Sequence, residues 1–172
     1  MYTAEEDLLI QAYSTIAFLA ELHNNNFLNS EAYKEMPFQD PFLKEHLPSI
    51  GIGNRGALVQ SLYSMLVLPK ELISDKFPAK FSALNVFAET LPSQINTTYA
   101  SDNPKVDFVR HVRNSVAHGK VSFEEKMVIF KDENKRSGET CEIKITLMDF
   151  GKFLTELQKL FFTFIESIKN KK

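Results

Sequence analysis

The sequence predicts an all-α protein: a single domain over residues 1–172, a bundle of about five helices, with a small β-hairpin at about 121–146 inserted before the last helix. Three observations carry that reading. Apolar residues recur at helical spacing in five stretches, most opened by a Ser, Thr or Asn cap or by a proline. Between Gly119 and Thr146 the pattern changes to two short β-rich runs. Hydrophobic residues make up 44% of the chain and include 15 phenylalanines, enough for one sizeable core without metals or disulfides.

In order, Thr3 and Glu6 form a capping box that opens the first helix. Its buried face is Leu8, Leu9, Ala12, Ile16, Leu19 and Ala20, and it runs to the Asn24-Asn25-Asn26 cluster. His23 has no second metal ligand at helical spacing and reads as a capping or solvated residue. Residues 27–52 hold Pro37, Pro41 and Pro48 and read as a mobile loop with at most short helical turns. Asn54 caps a second helix with Leu58, Leu62, Met65, Leu66 and Leu68 as its apolar face, which Pro69 interrupts or bends before Lys70–Ser74. The glycines from Gly51 to Gly56 lack a preceding strand and a following Lys-Ser/Thr, so they read as a helix entry rather than a phosphate loop.

A third helix is expected over Pro78–Thr98, with Phe81, Leu84, Phe87, Ala88, Leu91 and Ile95 on one face and a bend at Pro92. Ser101 to Pro104 supply a cap and a first-turn proline for the next helix, Lys105–Lys120. Met127–Phe130 and Cys141–Ile145 are the two expected strands, separated by the polar run from Lys131 to Thr140. A lone hairpin is marginal, so it must lean on the helices. Thr146 and Asp149 open the last helix, whose broad face is Phe153, Leu157, Leu160, Phe161, Phe164, Ile165 and Ile168. Phe162 lies off that face and suits a second packed surface such as a dimer contact.

The helix Lys105–Lys120 concentrates the polar chemistry. Phe108, Val109, Val112 and Val116 form its apolar stripe, and His111, Asn114 and His118 fall together on another face. Arg110 and Arg113 lie between the two. Gly119 suits the left-handed position that closes the helix, which places His118 in the last turn, where the helix dipole favours a protonated imidazole.

Arg113-Asn114-Ser115-Val116-Ala117-His118 resembles the R-N-x-x-x-H motif of the HEPN family, the higher-eukaryote and prokaryote nucleotide-binding domains. The longer run HVRNSVAHGKVSF resembles bacterial members in which a β-hairpin follows the motif helix. The resemblance implies a helical fold, paired motif helices lining a cleft in a homodimer, and, in catalytic members, RNA cleavage without metal by 2′-OH attack. Carried over, Arg113 would bind the phosphate, His118 would act as general base or acid, and Asn114 would orient one of them. Arg110, His111 and Lys120 lie outside the short motif and are assigned to accessory RNA binding. Some toxins of this family carry, two residues after the His, a Tyr modified by an antitoxin partner; here that position is Lys120, which speaks against regulation of that kind.

Composition narrows the classes further. The net charge of −2 argues against indiscriminate coating of nucleic acid, whereas Lys105, Arg110, Arg113 and Lys120 against Asp107 give the motif segment a local charge of +3. Cys141, the one cysteine, suits a reducing compartment. Glu5, Glu6 and Asp7 stand where a signal peptide needs basic residues, and no apolar run is long enough for a membrane span, so the cytoplasm is expected. No metal and no cofactor are expected, because the motif region lacks clustered carboxylates and His111 and His118 lack a third ligand.

Without the family, an Arg fork, an Asn amide and a His able to titrate near neutrality are one toolkit for acting on a phosphodiester. On an ideal helix, residues five apart such as Arg113 and His118 point about 140° away from each other. Helix distortion, a long Arg swinging across, or a second subunit could each complete the site; the resemblance implies the last. The expectation is a metal-independent endoribonuclease of the toxin or phage-defence kind, with RNA, a second copy and an antitoxin or other regulator as partners. The alternative is a non-catalytic module that binds nucleotide, RNA or protein.

Overall fold

The computed structural model describes residues 2–73, 77–91 and 93–170. The expectation of an all-α fold is corrected. Four strands form one antiparallel sheet in the order β1-β4-β3-β2, so the protein is mixed α/β. The strands are β1 (Ser93–Thr97), β2 (Val121–Glu124), β3 (Met127–Glu133) and β4 (Thr140–Thr146). β3 and β4 contain the two expected runs, and β2 and β1 flank them on either side.

β1 was hidden by a coincidence of period. Ile95 falls four residues after Leu91 and so continues the helical spacing, but α6 (Pro78–Glu89) stops earlier, where the Thr90 N–H donates to Phe87 O. Beyond it the chain alternates, with Gln94 and Asn96 exposed and Ile95 and Thr97 half-buried. Ile95 then sits opposite Ile143 and Thr97 opposite Cys141, so an expected helix end becomes an edge strand. Pro92, the expected bend, lies outside the described residues. β2 is four residues long, too short for its alternation to stand out, and pairs Val121 with Phe130 and Phe123 with Val128.

The helices before the sheet follow their caps. In α1 (Ala4–Asn24) the capping box forms as read: the Glu6 N–H donates to Thr3 Oγ1 at 3.2 Å and the Thr3 N–H to Glu6 Oε2 at 3.1 Å. Residues 27–52 are more ordered than a loop with short turns. They hold a 3₁₀ turn (Phe27–Asn29), α2 (Glu31–Glu35), capped by Ser30, and the ten-residue α3 (Pro41–Ile50), capped by Asp40 with Pro41 at its first turn. Pro48 lies inside α3 and has no N–H for the carbonyl of Lys44, but the Tyr33 hydroxyl donates to that oxygen at 3.1 Å. α4 (Arg55–Leu62) passes through a π turn (Tyr63–Val67) into α5 (Leu68–Ile73), so the helix widens before Pro69 rather than ending there.

α7 (Phe108–Ala117) is shorter than expected at its start. Asp107 is its N-cap, accepting from the Arg110 N–H at 3.1 Å, and Pro104 lies four residues before the helix instead of in its first turn. α7 packs against β3, α6 and the π turn. The inward face of the sheet presents Val128, Phe130, Cys141, Ile143 and Ile145 to the core. α8 (Leu147–Lys169), capped by Thr146, buries all seven apolar residues of its expected face and Phe150 besides.

Candidate functional site

The apolar stripe of α7 is buried as its spacing requires, which fixes the helix's rotation and carries the neighbouring polar residues inward with it. His111 follows the stripe and is only 1% exposed. Its Nδ1 lies 2.7 Å from Asp132 Oδ2 on β3, and its Nε2 2.9 Å from Asp102 Oδ2, in the turn before α7. Asp102 Oδ2 also accepts from Thr97 Oγ1 of β1 at 2.5 Å, and Asp102 Oδ1 from Arg110 Nη2 at 2.7 Å. The ring is thus clasped between two carboxylates, one at each nitrogen. Burial works to raise the pKa of both carboxyls, yet both are held below their ordinary value. Hydrogen bonds from Thr97 and His111 outweigh burial at Asp102, and those from Asn114, His111 and Tyr99 at Asp132. Burial together with the Asp132 charge pushes the Tyr99 hydroxyl up to about 12, and burial pushes the Cys141 thiol up to about 11.

The network continues into the motif. Asn114 Nδ2 donates to Asp132 Oδ2 at 3.0 Å, which turns the Asn114 carbonyl oxygen toward Arg113. That oxygen accepts from Arg113 Nη2 at 2.6 Å and from Arg113 Nε at 3.1 Å. Arg113 is thereby held through Asn114 by a carboxylate on the central part of the sheet. Arg110 points the other way, to Asp102, to Ser101 Oγ at 3.1 Å and over the Tyr99 ring at 5.2 Å. Its Nε is buried with no acceptor among the described residues.

His118 caps the C-terminus of α7 and is exposed, and its ring has no hydrogen bond or ion pair among the described residues. The helix closes behind it: the Gly119 N–H donates to Val116 O at 3.2 Å and the Lys120 N–H to Ser115 O at 2.7 Å, with Gly119 at φ +65°. The Lys120 ammonium is paired with Glu133 at 2.7 Å.

Of the residues singled out from the sequence, Arg113 and Asn114 are therefore joined side chain to side chain, whereas His118 meets Asn114 only through its backbone, its N–H donating to Asn114 O at 3.0 Å. His111 is enclosed by carboxylates, out of reach of a bound RNA. Asp102, Asp132, Thr97 and Tyr99 were not foreseen. Asp132 did leave a signal, because it stands at an inward strand position in register with Val128 and Phe130, and a carboxylate there demands a partner.

Asp102, His111 and Cys141 bring one ligand atom each within 4.8 Å of one another, a grouping that the isolation of Cys141 in sequence concealed. The Asp102 and His111 atoms are already engaged with each other, and the Arg110 guanidinium lies 3.1 Å from His111 Nε2, an unfavourable neighbour for a cation. The donor set fits a self-contained polar network better than a metal centre.

A helical framework thus flanks a small antiparallel sheet, with R-N-x-x-x-H closing one helix at a left-handed glycine. The family model described as HEPN pEK499 p136 matches residues 1–167. The chain belongs to that HEPN family. Comparison with curated proteins and with solved structures gave no match. Among the described residues, no helix is long and apolar enough to cross a membrane.

Proposed function

We propose that the protein is a metal-independent endoribonuclease, acting as a toxin or phage-defence effector, in which Arg113 binds the scissile phosphate and His118 moves the proton. The observation that carries this reading is the contrast within one motif. Arg113 is held in place from behind through Asn114 and Asp132, while the His118 imidazole is exposed and unengaged among the described residues. A planar guanidinium can engage two phosphate oxygens and offset the charge that builds up during attack. An imidazole in water at a helix end can take the 2′-OH proton or protonate the leaving oxygen. Both catalytic groups come from the protein, so the scheme assigns no step to a metal.

Among the described residues no hydrogen bond joins the Arg113 guanidinium to the His118 ring, and side chains five apart on a helix diverge, which supports a cleft completed by a second copy. The tie between Arg113 and Asn114 favours a second reading, a module that binds RNA or nucleotide without cutting it. The test is cleavage of a defined single-stranded RNA in EDTA by the parent and by His118→Ala. Proton transfer by a positioned side chain contributes about 10²- to 10⁴-fold, so His118→Ala should lose at least about 10²-fold while the parent leaves cyclic-phosphate ends. Equal rates would remove His118 from the mechanism, and binding without cleavage by the parent would favour the second reading.

A further inference from the structure

Beside Arg113, on the side of α7 that faces α5 and α6, lies a cavity of about 250 Å³ lined by Lys70, Ser82, Asn85, Asp107, Arg110 and Arg113. Among the described residues, three cationic residues and one carboxylate line it, with the Arg110 guanidinium turned away. Asp102 balances Arg110, and Asn114 engages Arg113. Lys70 differs from both. Its ammonium lies 5.4 Å from the centre of the Phe81 ring, and it has no carboxylate partner among the described residues. A lysine held over an aromatic face at the wall of a concave site keeps its charge available to a ligand that enters.

We propose that this cavity is a phosphate subsite, in which Lys70 holds the sugar–phosphate backbone of a single-stranded RNA next to the linkage engaged at Arg113. The inference rests on the RNA reading above and deepens it by naming where the rest of the strand is held. The cavity shares Arg113 with the motif, so a strand lying on that guanidinium has its neighbouring phosphates within reach of the cavity. Ser82 adds a polar residue to the wall, whereas the Asn85 amide is engaged with Glu89, Val106 O and the Val109 N–H, and Asp107 is occupied as the cap of α7. The group that Lys70 offers is an ammonium, which meets phosphate as a point charge, so the subsite reads charge rather than base identity.

The experiment measures binding of a fluorescently labelled 12-nucleotide single-stranded RNA by anisotropy across a salt series. All binding variants carry His118→Ala, so that no RNA is consumed, and cleavage is assayed separately with the parent. Lys70→Ala is compared with Lys70→Arg, and with Lys34→Ala as a control of equal charge loss in α2. Melting by circular dichroism confirms that each variant is folded. Lys70→Ala should weaken binding about three- to tenfold and reduce the steepness of the log-affinity against log-salt line by about 0.7, the loss of one phosphate contact on a single strand. Lys70→Arg should retain most of the affinity, and Lys34→Ala should change neither quantity. If Lys70→Ala binds like Lys34→Ala while the parent cleaves RNA, the subsite is wrong and the nuclease reading stands. If binding depends on Lys70 but the parent never cleaves, the subsite stands and the nuclease reading falls. If RNA is neither bound nor cleaved, both fall.

Discussion

His111 presents each ring nitrogen to a carboxylate, and one of those carboxylates also holds Asn114 and, through it, Arg113. Removing Asp132 therefore has two separable effects. It leaves the buried imidazole and the Asn114 amide each with one partner fewer, so Asp132→Ala should cost about 2–3 kcal/mol in urea unfolding, the scale of leaving buried polar groups unsatisfied. It also releases the Asn114 amide, so in the cleavage assay the loss should exceed what the unfolded fraction accounts for. The same carboxyls govern acid stability. Asp102 and Asp132 are held below 3.8, so their contribution is fully present above about pH 4 and is lost as the pH falls through their depressed values. The urea midpoint of the parent should fall steeply there, and that of Asp132→Ala less steeply. His118→Ala, by contrast, removes an exposed ring with no partner and should shift the melting temperature by less than about 2 °C. The residues of the motif were legible as a string of letters. The support behind them was not, because Asp102 and Asp132 lie on other elements and only the folded chain brings them to α7.

Elements with regular periods were read well and those that break a rule were not. α1 and α8 have caps and formed where expected, though of the face expected for α1 only Leu9 is buried and Leu8 is 47% exposed. α3 was missed because Pro48 marks a break when only local rules are applied. The structure supplies from a distance what the proline lacks: Tyr33, fifteen residues earlier, donates to the carbonyl the ring leaves free. Tyr33→Phe should therefore cost about 1–2 kcal/mol, with hydrogen-exchange protection lost first in α3, since it removes one hydroxyl and leaves a carbonyl unpaired. Pro69 shows a second way through. Its ring would meet the carbonyl of Met65 in an ordinary helix, and that residue sits inside the π turn, where the Leu68 N–H donates back to Tyr63 O. β1 was missed for the opposite reason: a single isoleucine at the right spacing extended a pattern that the backbone had already abandoned.

For the whole molecule, the composite cleft proposed for Arg113 and His118 makes a specific demand on assembly. In a two-fold dimer whose cleft takes Arg113 from one copy and His118 from the other, a heterodimer of Arg113→Ala and His118→Ala chains contains one complete site and one doubly broken one. Mixing and refolding the two inactive variants should restore about a quarter of the parental cleavage rate, since half the dimers are mixed and each carries one working site of two. Sites contained within single chains would give none. Phe162 is 43% exposed, with its ring edge-on to Tyr13 at 5.2 Å, and is one apolar group available to such a contact. The sheet order adds a consequence for how the protein comes into being. β1 is paired only by β4, and Asp132 arrives on β3, so the parts that hold the motif are synthesised well after the motif itself. A ribosome that has just released Arg113 and His118 from its tunnel holds a peptide with no carboxylate behind Asn114 and no partner for β1. In an RNA-cutting enzyme of the proposed kind, the motif would thus emerge beside the machine that makes it, itself built of RNA, before it is fully braced.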